Sequence, residues 1–198
     1  MRIAIVKYNA GNIYSVVNAL NRLGIDPIIT DDAETLLSAD KVLFPGQGEA
    51  GTTMQYLREH RLDTIIKSLR QPVLGICVGQ QLLCRHSEEG DTECIGIFPI
   101  DVKRFRPQRH EDKVPAMGWN DLHVDHSTDG ILKDIGTHPY VYFVHSYYVP
   151  VCEWTIATAD YILPYSAALR KDNFWATQFH PEKSGNVGEL ILKNFLDL

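Results

Sequence analysis

The sequence predicts an α/β domain: a mostly parallel central sheet with flanking helices, and antiparallel strands added in the second half. Three observations predict it. Between Arg2 and His86, short apolar runs alternate with segments of helical periodicity. From Gly96 to Gln178 the helical period gives way to strand-length runs separated by turn residues. The chain then closes on a helical face made of Val187, Leu190, Ile191, Asn194 and Phe195.

Arg2 to Lys7 reads as an opening strand. Ile13, Val16, Val17, Leu20 and Leu23 follow at helical spacing, with Gly24 as the stop. Asp26 to Thr30 is a second strand, and Lys41 to Phe44 a third that ends at Pro45-Gly46. Leu57, Leu62, Ile65, Ile66 and Leu69 give helical turns broken at Pro72. Val73 to Ile76 is a fourth, wholly apolar strand, and a helix is expected from about Val78 to His86. Strand and helix in alternation imply right-handed crossovers and a sheet covered on both faces. In the second half, strands are expected at Ile100 to Phe105, Trp119 to Val124, Tyr140 to Val149, Thr155 to Ala159, Ala167 to Arg170 and Phe174 to Gln178. These read as antiparallel additions to, or beside, the parallel core. With 198 residues and no repeat or linker, one domain spanning 1–198 is expected.

Composition narrows the function classes. The chain is 44% hydrophobic and 22% charged with both signs interspersed, which excludes a disordered polar tract. Its net charge of −6 and the lack of a basic stripe beyond Lys103-Arg104-Phe105-Arg106 and Arg109 argue against nucleic acid. No apolar run is long enough to cross a bilayer, and Met1 to Val6 is too short for a signal-peptide core. Cys77, Cys84, Cys94 and Cys152 show neither a C-x-x-C pair nor a disulfide spacing, so a reducing cytoplasm is expected. No cofactor is expected. His123-Val124-Asp125-His126 invites a metal reading, but nothing near it in the chain completes a ligand set, and it is read as a solvated turn with no metal. Glu88-Glu89-Gly90-Asp91 reads as a helix exit at the surface, and Tyr140, Tyr142, Tyr147 and Tyr148 as core and interface.

Gly75-Ile76-Cys77-Val78-Gly79 stands where the fourth strand meets its helix. A G-x-nucleophile-x-G elbow needs that context, because the turn is too tight for a side chain at either flank. Most lone cysteines are small buried hydrophobes. An elbow at a strand end reverses that reading, lifting the Cys77 sulfur off the sheet's edge toward solvent and the helix N-terminus. Cys84, Cys94 and Cys152 have no such context and are read as structural. Phe174 to Glu182 is a late strand ending in His180-Pro181-Glu182. Residues two apart on an extended chain share a side, so Glu182 can orient His180, which in turn serves Cys77 as base. Pro45-Gly46-Gln47-Gly48 follows the third strand, where its amides can border the cysteine. Gln47, Gly48 and the Val78 N–H are the candidate oxyanion donors.

Together these motifs resemble the class I (triad) glutamine amidotransferases, which implies a flavodoxin-like fold. The match runs through Pro45–Gly48, Gly75-Ile76-Cys77-Val78-Gly79-Gln80-Gln81-Leu82 and Gln178-Phe179-His180-Pro181-Glu182. Within that family the chain is most similar to the glutaminase subunits of imidazole glycerol phosphate synthases of histidine biosynthesis. Tyr8-Asn9-Ala10-Gly11-Asn12, Met117-Gly118-Trp119-Asn120, His145-Ser146-Tyr147 and Lys183-Ser184-Gly185 carry the narrower resemblance. It implies L-glutamine as substrate, a Cys77 thioester, and ammonia passed to a (β/α)8-barrel cyclase subunit in a heterodimer. It also implies that Gln81, Ser146 and Tyr147 bind glutamine, and that Asn12, Met117, Trp119, Asn120 and Lys183 meet the partner. Gln47 and Ala116 depart from residues common in the family. The competing readings are the glutaminase of another amidotransferase, a γ-glutamyl hydrolase and a non-catalytic module.

Overall fold

Ile3, Ala4, Ile5 and Val6 are all buried, so β1 (Ile3–Val6) is covered on both faces, as an apolar run without alternation requires. The computed structural model describes residues 1–8, 13–46, 48–124, 130–136 and 138–198. Asn12, Gln47, Asp125 and His126 lie outside the described residues. Helix α1 (Tyr14–Arg22) turns Val16, Ala19 and Leu20 inward and ends before Gly24, whose φ is 77°. There follow β2 (Ile28–Thr30), α2 (Ala33–Ser38), β3 (Lys41–Gly46), α3 (Ala50–Glu59), α4 (Leu62–Ser68), β4 (Val73–Cys77) and α5 (Val78–Leu83).

Three local readings need correction. Helix α2 has no apolar periodicity to betray it. Of its residues only Leu36 is buried, and it is started by the Asp32 side chain accepting from the Thr35 N–H. The helical pattern between Leu57 and Leu69 is two helices, split at Arg61, where φ is 56°. The helix expected to reach His86 stops at Leu83, because the next residues are captured as β5 (Cys84–Ser87). Cys84 is buried in the core as expected, but on a strand.

The second half adds β6 (Thr92–Glu93), β7 (Phe98–Arg104), β8 (Ala116–Asp121), β9 (His123–Val124), β10 (Tyr140–His145), β11 (Tyr147–Tyr148), β12 (Thr155–Tyr161), β13 (Leu163–Lys171) and β14 (Phe174–Thr177), then α6 (Gly185–Asp197). The main sheet runs β2-β1-β3-β4-β14-β13-β12-β9. Its first five strands are parallel, and β13, β12 and β9 are antiparallel additions. β14 was expected among the additions, but it pairs parallel with β4, in register Thr177↔Ile76. All four of its residues are buried, as befits an interior parallel strand. Beside this sheet lie the β8–β10 hairpin and a smaller sheet ordered β11-β7-β5-β6. Among the described residues, no helix is long and apolar enough to cross a membrane.

This order fixes where chemistry can happen. β4 is flanked by β3 and β14, all three parallel, so the segments leaving them emerge at one carboxyl edge. Those segments begin at Pro45-Gly46, Cys77 and Gln178. Helix α6 closes over the last of them. A Cβ on Gly188 would stand 1.9 Å from the Pro181 carbonyl oxygen, so only glycine lets the helix approach the His180–Lys183 turn. Asn194, on the same helix, donates to the carbonyls of Ile131 and Lys133. Gly188→Ala is therefore expected to cost about 1–3 kcal/mol, the usual penalty of overpacking, read as a lower urea midpoint at unchanged slope.

Candidate active site

Cys77 ends β4 with φ 56° and ψ −107°, a conformation that side chains rarely adopt. Its neighbours explain how the chain tolerates it. A Cβ on Gly79 would lie 1.9 Å from the Phe44 carbonyl oxygen, and one on Gly75 would lie 2.7 Å from Leu83 Cδ1. The two glycines therefore permit the close approach of α5 to β3 and β4 that the elbow needs. The thiol is 4% exposed, so it is directed into a cavity and not into open solvent as first expected. Its Sγ lies 3.8 Å from the Val144 carbonyl oxygen, and the Gln178 side-chain amide approaches it at 3.7 Å.

His180 is 1% exposed, and its Nδ1 lies 2.8 Å from Glu182 Oε1. The two meet through the 3-10 turn Pro181–Lys183, a correction to the extended geometry expected from their spacing. The backbone of this turn is clamped from several sides. The His180 N–H donates to the Tyr142 carbonyl at 2.9 Å, and the Tyr142 N–H donates to Ser184 Oγ at 3.0 Å. Ser184 Oγ in turn donates to the His180 carbonyl at 2.6 Å. Ahead of the turn, Thr177 Oγ1 donates to the Phe179 carbonyl, and the Gln178 N–H to that of Ala167.

One cavity of about 380 Å³ gathers most of the expected residues. Cys77, Val78, Gly48 and His180 line it, and so do Gln81, Ser146, Tyr147 and Lys183. Its volume suits a small polar metabolite. Lys183, expected at a partner surface, thus also borders the cavity of the thiol. Gln81 is held in place by its side-chain amide, which donates to the Tyr147 carbonyl and to Gln178 Oε1. Met117, Trp119 and Asn120 are elsewhere, around a second cavity of about 210 Å³, with Met117 and Trp119 exposed. Four contributors were missed by the sequence reading. Tyr8 donates its hydroxyl to the Pro45 carbonyl and so holds the turn after β3. Gln178 bridges Gln81 and Cys77. His145 and Glu89 line the cavity. Gln178 and His145 stood inside quoted motifs, but nothing in a one-dimensional pattern says which neighbour a side chain reaches.

The family model for glutamine amidotransferase class-I matches residues 4–198. The chain belongs to the class I glutamine amidotransferases. It is 63% identical over 198 residues, covering all of both chains, to the imidazole glycerol phosphate synthase subunit HisH of Bacteroides thetaiotaomicron. It is 42% identical over 199 residues, again covering all of both, to the protein of the same name from Escherichia coli K12. Among solved structures it resembles PurLQS from Thermotoga maritima, with TM-score 0.70 and 16% identity over 99% of this chain and 97% of that one. It also resembles a glutamine amidotransferase from Thermotoga maritima, with TM-score 0.63 and 15% identity over 100% and 83%. These structures speak to the fold alone.

Electrostatics divide the two histidines of this amidotransferase's cavity. Burial by itself lowers the pKa of His180. The electrostatic pull of the neighbouring Cys77 sulfur outweighs that, and the hydrogen bond to Glu182 and its charge add to it, raising it to about 10. His145 goes the other way, to about 4. Burial dominates, the bond to the Tyr147 carbonyl opposes it, and the charge on His180 adds to it. A neutral His145 must carry its proton on Nδ1, which lies 2.7 Å from that carbonyl, an acceptor only. Its Nε2 and the Nε2 of His180 are buried with no hydrogen-bond partner among the described residues. Burial pushes the Tyr8 hydroxyl up, and the Cys77 charge pushes it further, so Tyr8 is a fixed donor.

The linked stabilities have opposite signs. His180, raised in the folded state, contributes stability fully present below about pH 6.5 and lost as pH rises toward its folded value of about 10. His145, depressed, contributes stability present above about pH 6.5 and lost as pH falls toward about 4. Nitrogen-15 NMR of the imidazoles should find His180 protonated and His145 neutral at pH 7. In Cys77→Ala the His180 pKa should fall, and an unchanged titration would show that the thiolate is not the cause.

Proposed function

We propose that this chain is the glutaminase subunit of an imidazole glycerol phosphate synthase, with residues 1–198 forming one amidotransferase domain. It hydrolyses L-glutamine to L-glutamate and ammonia. The ammonia goes to a (β/α)8-barrel cyclase subunit, which makes imidazole glycerol phosphate and AICAR from the ribotide PRFAR. The observation that carries the chemistry is one cavity lined by Cys77 on its elbow and by His180, which is held at 2.8 Å by Glu182. The relatives bearing the synthase-subunit name, matched from end to end, support the narrower assignment.

In this reading the Cys77 thiolate attacks the side-chain amide carbon of glutamine. The electron pair moves onto the carbonyl oxygen, where the N–H groups of Val78 and of the Gln47-Gly48 turn receive it. The carbonyl re-forms, the C–N bond breaks, and His180 gives its proton to the departing nitrogen, which leaves as ammonia. Water, deprotonated by His180, then attacks the thioester and releases glutamate and the thiolate. Glu182 holds the imidazole's orientation and tautomer and offsets its charge. Gln81, Ser146 and Tyr147 hold the substrate's amino-acid end. Delivery through a closed path has a physical motive, since ammonia in neutral water is mostly protonated and has no lone pair for attack. The partner surface is assigned to Asn12, Lys183 and the exposed end of β8, where Met117, Trp119 and Asn120 stand. Four free cysteines fit a cytoplasmic location.

Cys77→Ala should abolish glutamate release from glutamine while leaving the circular dichroism spectrum and Tm near those of the parent; turnover at the parent rate would refute the nucleophile. Adding the barrel cyclase with its ribotide ligand should raise glutaminase turnover strongly. Equal activity of the isolated chain would sink the gated reading and leave the nucleophile assignment standing.

A further inference from the structure

Three positions apart in sequence, His123 and His126 have no nearby residues in the chain that complete a metal site. The fold supplies partners that chain order hides. Asp121 ends β8, His123 opens β9, and His138 lies two residues before β10. Because β8 and β10 run antiparallel with Asp121 opposite Tyr140, the approach to β10 passes beside the end of β8. One ligand atom each from Asp121, His123 and His138 lies within 4.8 Å of the others, the one such group of three or more potential ligands among the described residues. The two rings stand edge to face, centroids 5.0 Å apart and 85° between planes. Each also meets a carboxylate: His138 Nδ1 is 3.5 Å from Asp121 Oδ2, and His123 Nε2 is 3.1 Å from Asp160 Oδ2.

We propose that Asp121, His123 and His138 form a surface site for a divalent first-row transition-metal ion of the zinc class. Zinc–nitrogen and zinc–oxygen bonds of about 2.0–2.2 Å in a tetrahedron set the ligand atoms roughly 3.4 Å apart. From 4.8 Å or less, half-exposed side chains close that gap by small rotations within their rotamer wells. Two imidazole nitrogens with a carboxylate favour zinc, nickel or copper over magnesium and calcium, which prefer all-oxygen shells. Asp121 and Asp160 bring two negative charges before any ion arrives. Asp160, already beside His123, completes the shell or orients it, and water fills what remains. Ordinary surface ion pairs are worth about 0–1 kcal/mol and give no reason for both rings to converge on one gap. Bound there, the ion ties the start of β10 to β8 and β9. It is a clasp on the hairpin whose strand β10 holds the His180 backbone, and it is separate from the cavity of the thiol.

The test is calorimetric titration of Zn²⁺ into the Cys77→Ser chain, a background that removes the thiolate that would itself bind zinc. One ion per chain with micromolar affinity is expected. His123→Asn and His138→Asn, both at exposed positions, should each weaken it by at least about tenfold and shrink the zinc-induced rise in Tm expected of the parent. Affinity unchanged in both variants, or no binding up to millimolar zinc, overturns the proposal. Co²⁺ serves as a second probe. A bound spectrum without a thiolate charge-transfer band supports nitrogen and oxygen ligands, whereas a thiolate band places the ion on Cys94 or Cys152 and overturns it.

Discussion

The backbone of Cys77, bent to φ 56° and ψ −107°, is the constraint on which the rest of the site depends. A non-glycine residue held there costs on the order of 1–3 kcal/mol, and the surroundings must hold it in place. They do so by burial. All six residues of α5 are buried, β4 is interior, and Gly79 lies directly against the Phe44 carbonyl. The same closeness governs the turn after β3. A Cβ on Gly46 would lie 2.6 Å from the Gly79 nitrogen, and the neighbouring Pro45 carbonyl is held by Tyr8. The elbow and the end of β3 are thus two sides of one tight contact, and neither can shift far without the other.

The second support is β10. Its Val144 carbonyl lies 3.8 Å from the Cys77 sulfur, and its Tyr142 carbonyl receives the His180 N–H. A single strand therefore touches both the Cys77 sulfur and the His180 backbone. Its hairpin partner β8 faces outward, where Trp119 is 56% exposed and meets the Tyr142 ring edge-on at 6.1 Å. Under the proposed docking on β8, a partner pressing on Trp119 acts one residue contact away from the carbonyl that positions His180. That gives a partner-dependent glutaminase a short, packed route for its control, with no need for a long-range pathway.

Much of this was legible in the sequence because it was written in local chemistry. The G-x-C-x-G run could only be a tight turn, and its glycines meet the atoms that demand them. Three buried parallel strands, β1, β3 and β4, announced themselves as apolar runs. What stayed hidden was set by distant parts of the chain. Cys84 to Ser87 continue a helical pattern, and only pairing with β6 and β7 makes them a strand. β14 has no internal mark of direction, and its parallel course follows from its place beside β4. Gly188 looks like an ordinary helical glycine until the Pro181 carbonyl appears beneath it. Gln178, His145 and Tyr8 acquire roles only from neighbours that lie far from them along the chain. Asp121 and His138 became visible beside His123 for the same reason.

The proton inventory of the site follows from these positions. In the proposed reaction His180 starts between the Cys77 sulfur and Glu182, and the sulfur is the larger cause of its raised pKa. An imidazolium that basic would be a poor acid. Attack on a carbonyl removes that obstacle. As the sulfur becomes bonded to carbon, its negative charge passes to the carbonyl oxygen, to which the backbone N–H groups donate, away from the imidazole. The pKa of His180 then falls toward that of an ordinary histidine paired with a carboxylate, just when the departing nitrogen needs a proton. Burial keeps His145 neutral, so it adds no second imidazolium beside His180. On the proposed mechanism the proton is stored on His180 until the Cys77 sulfur has reacted, which ties the leaving of ammonia to the formation of the thioester.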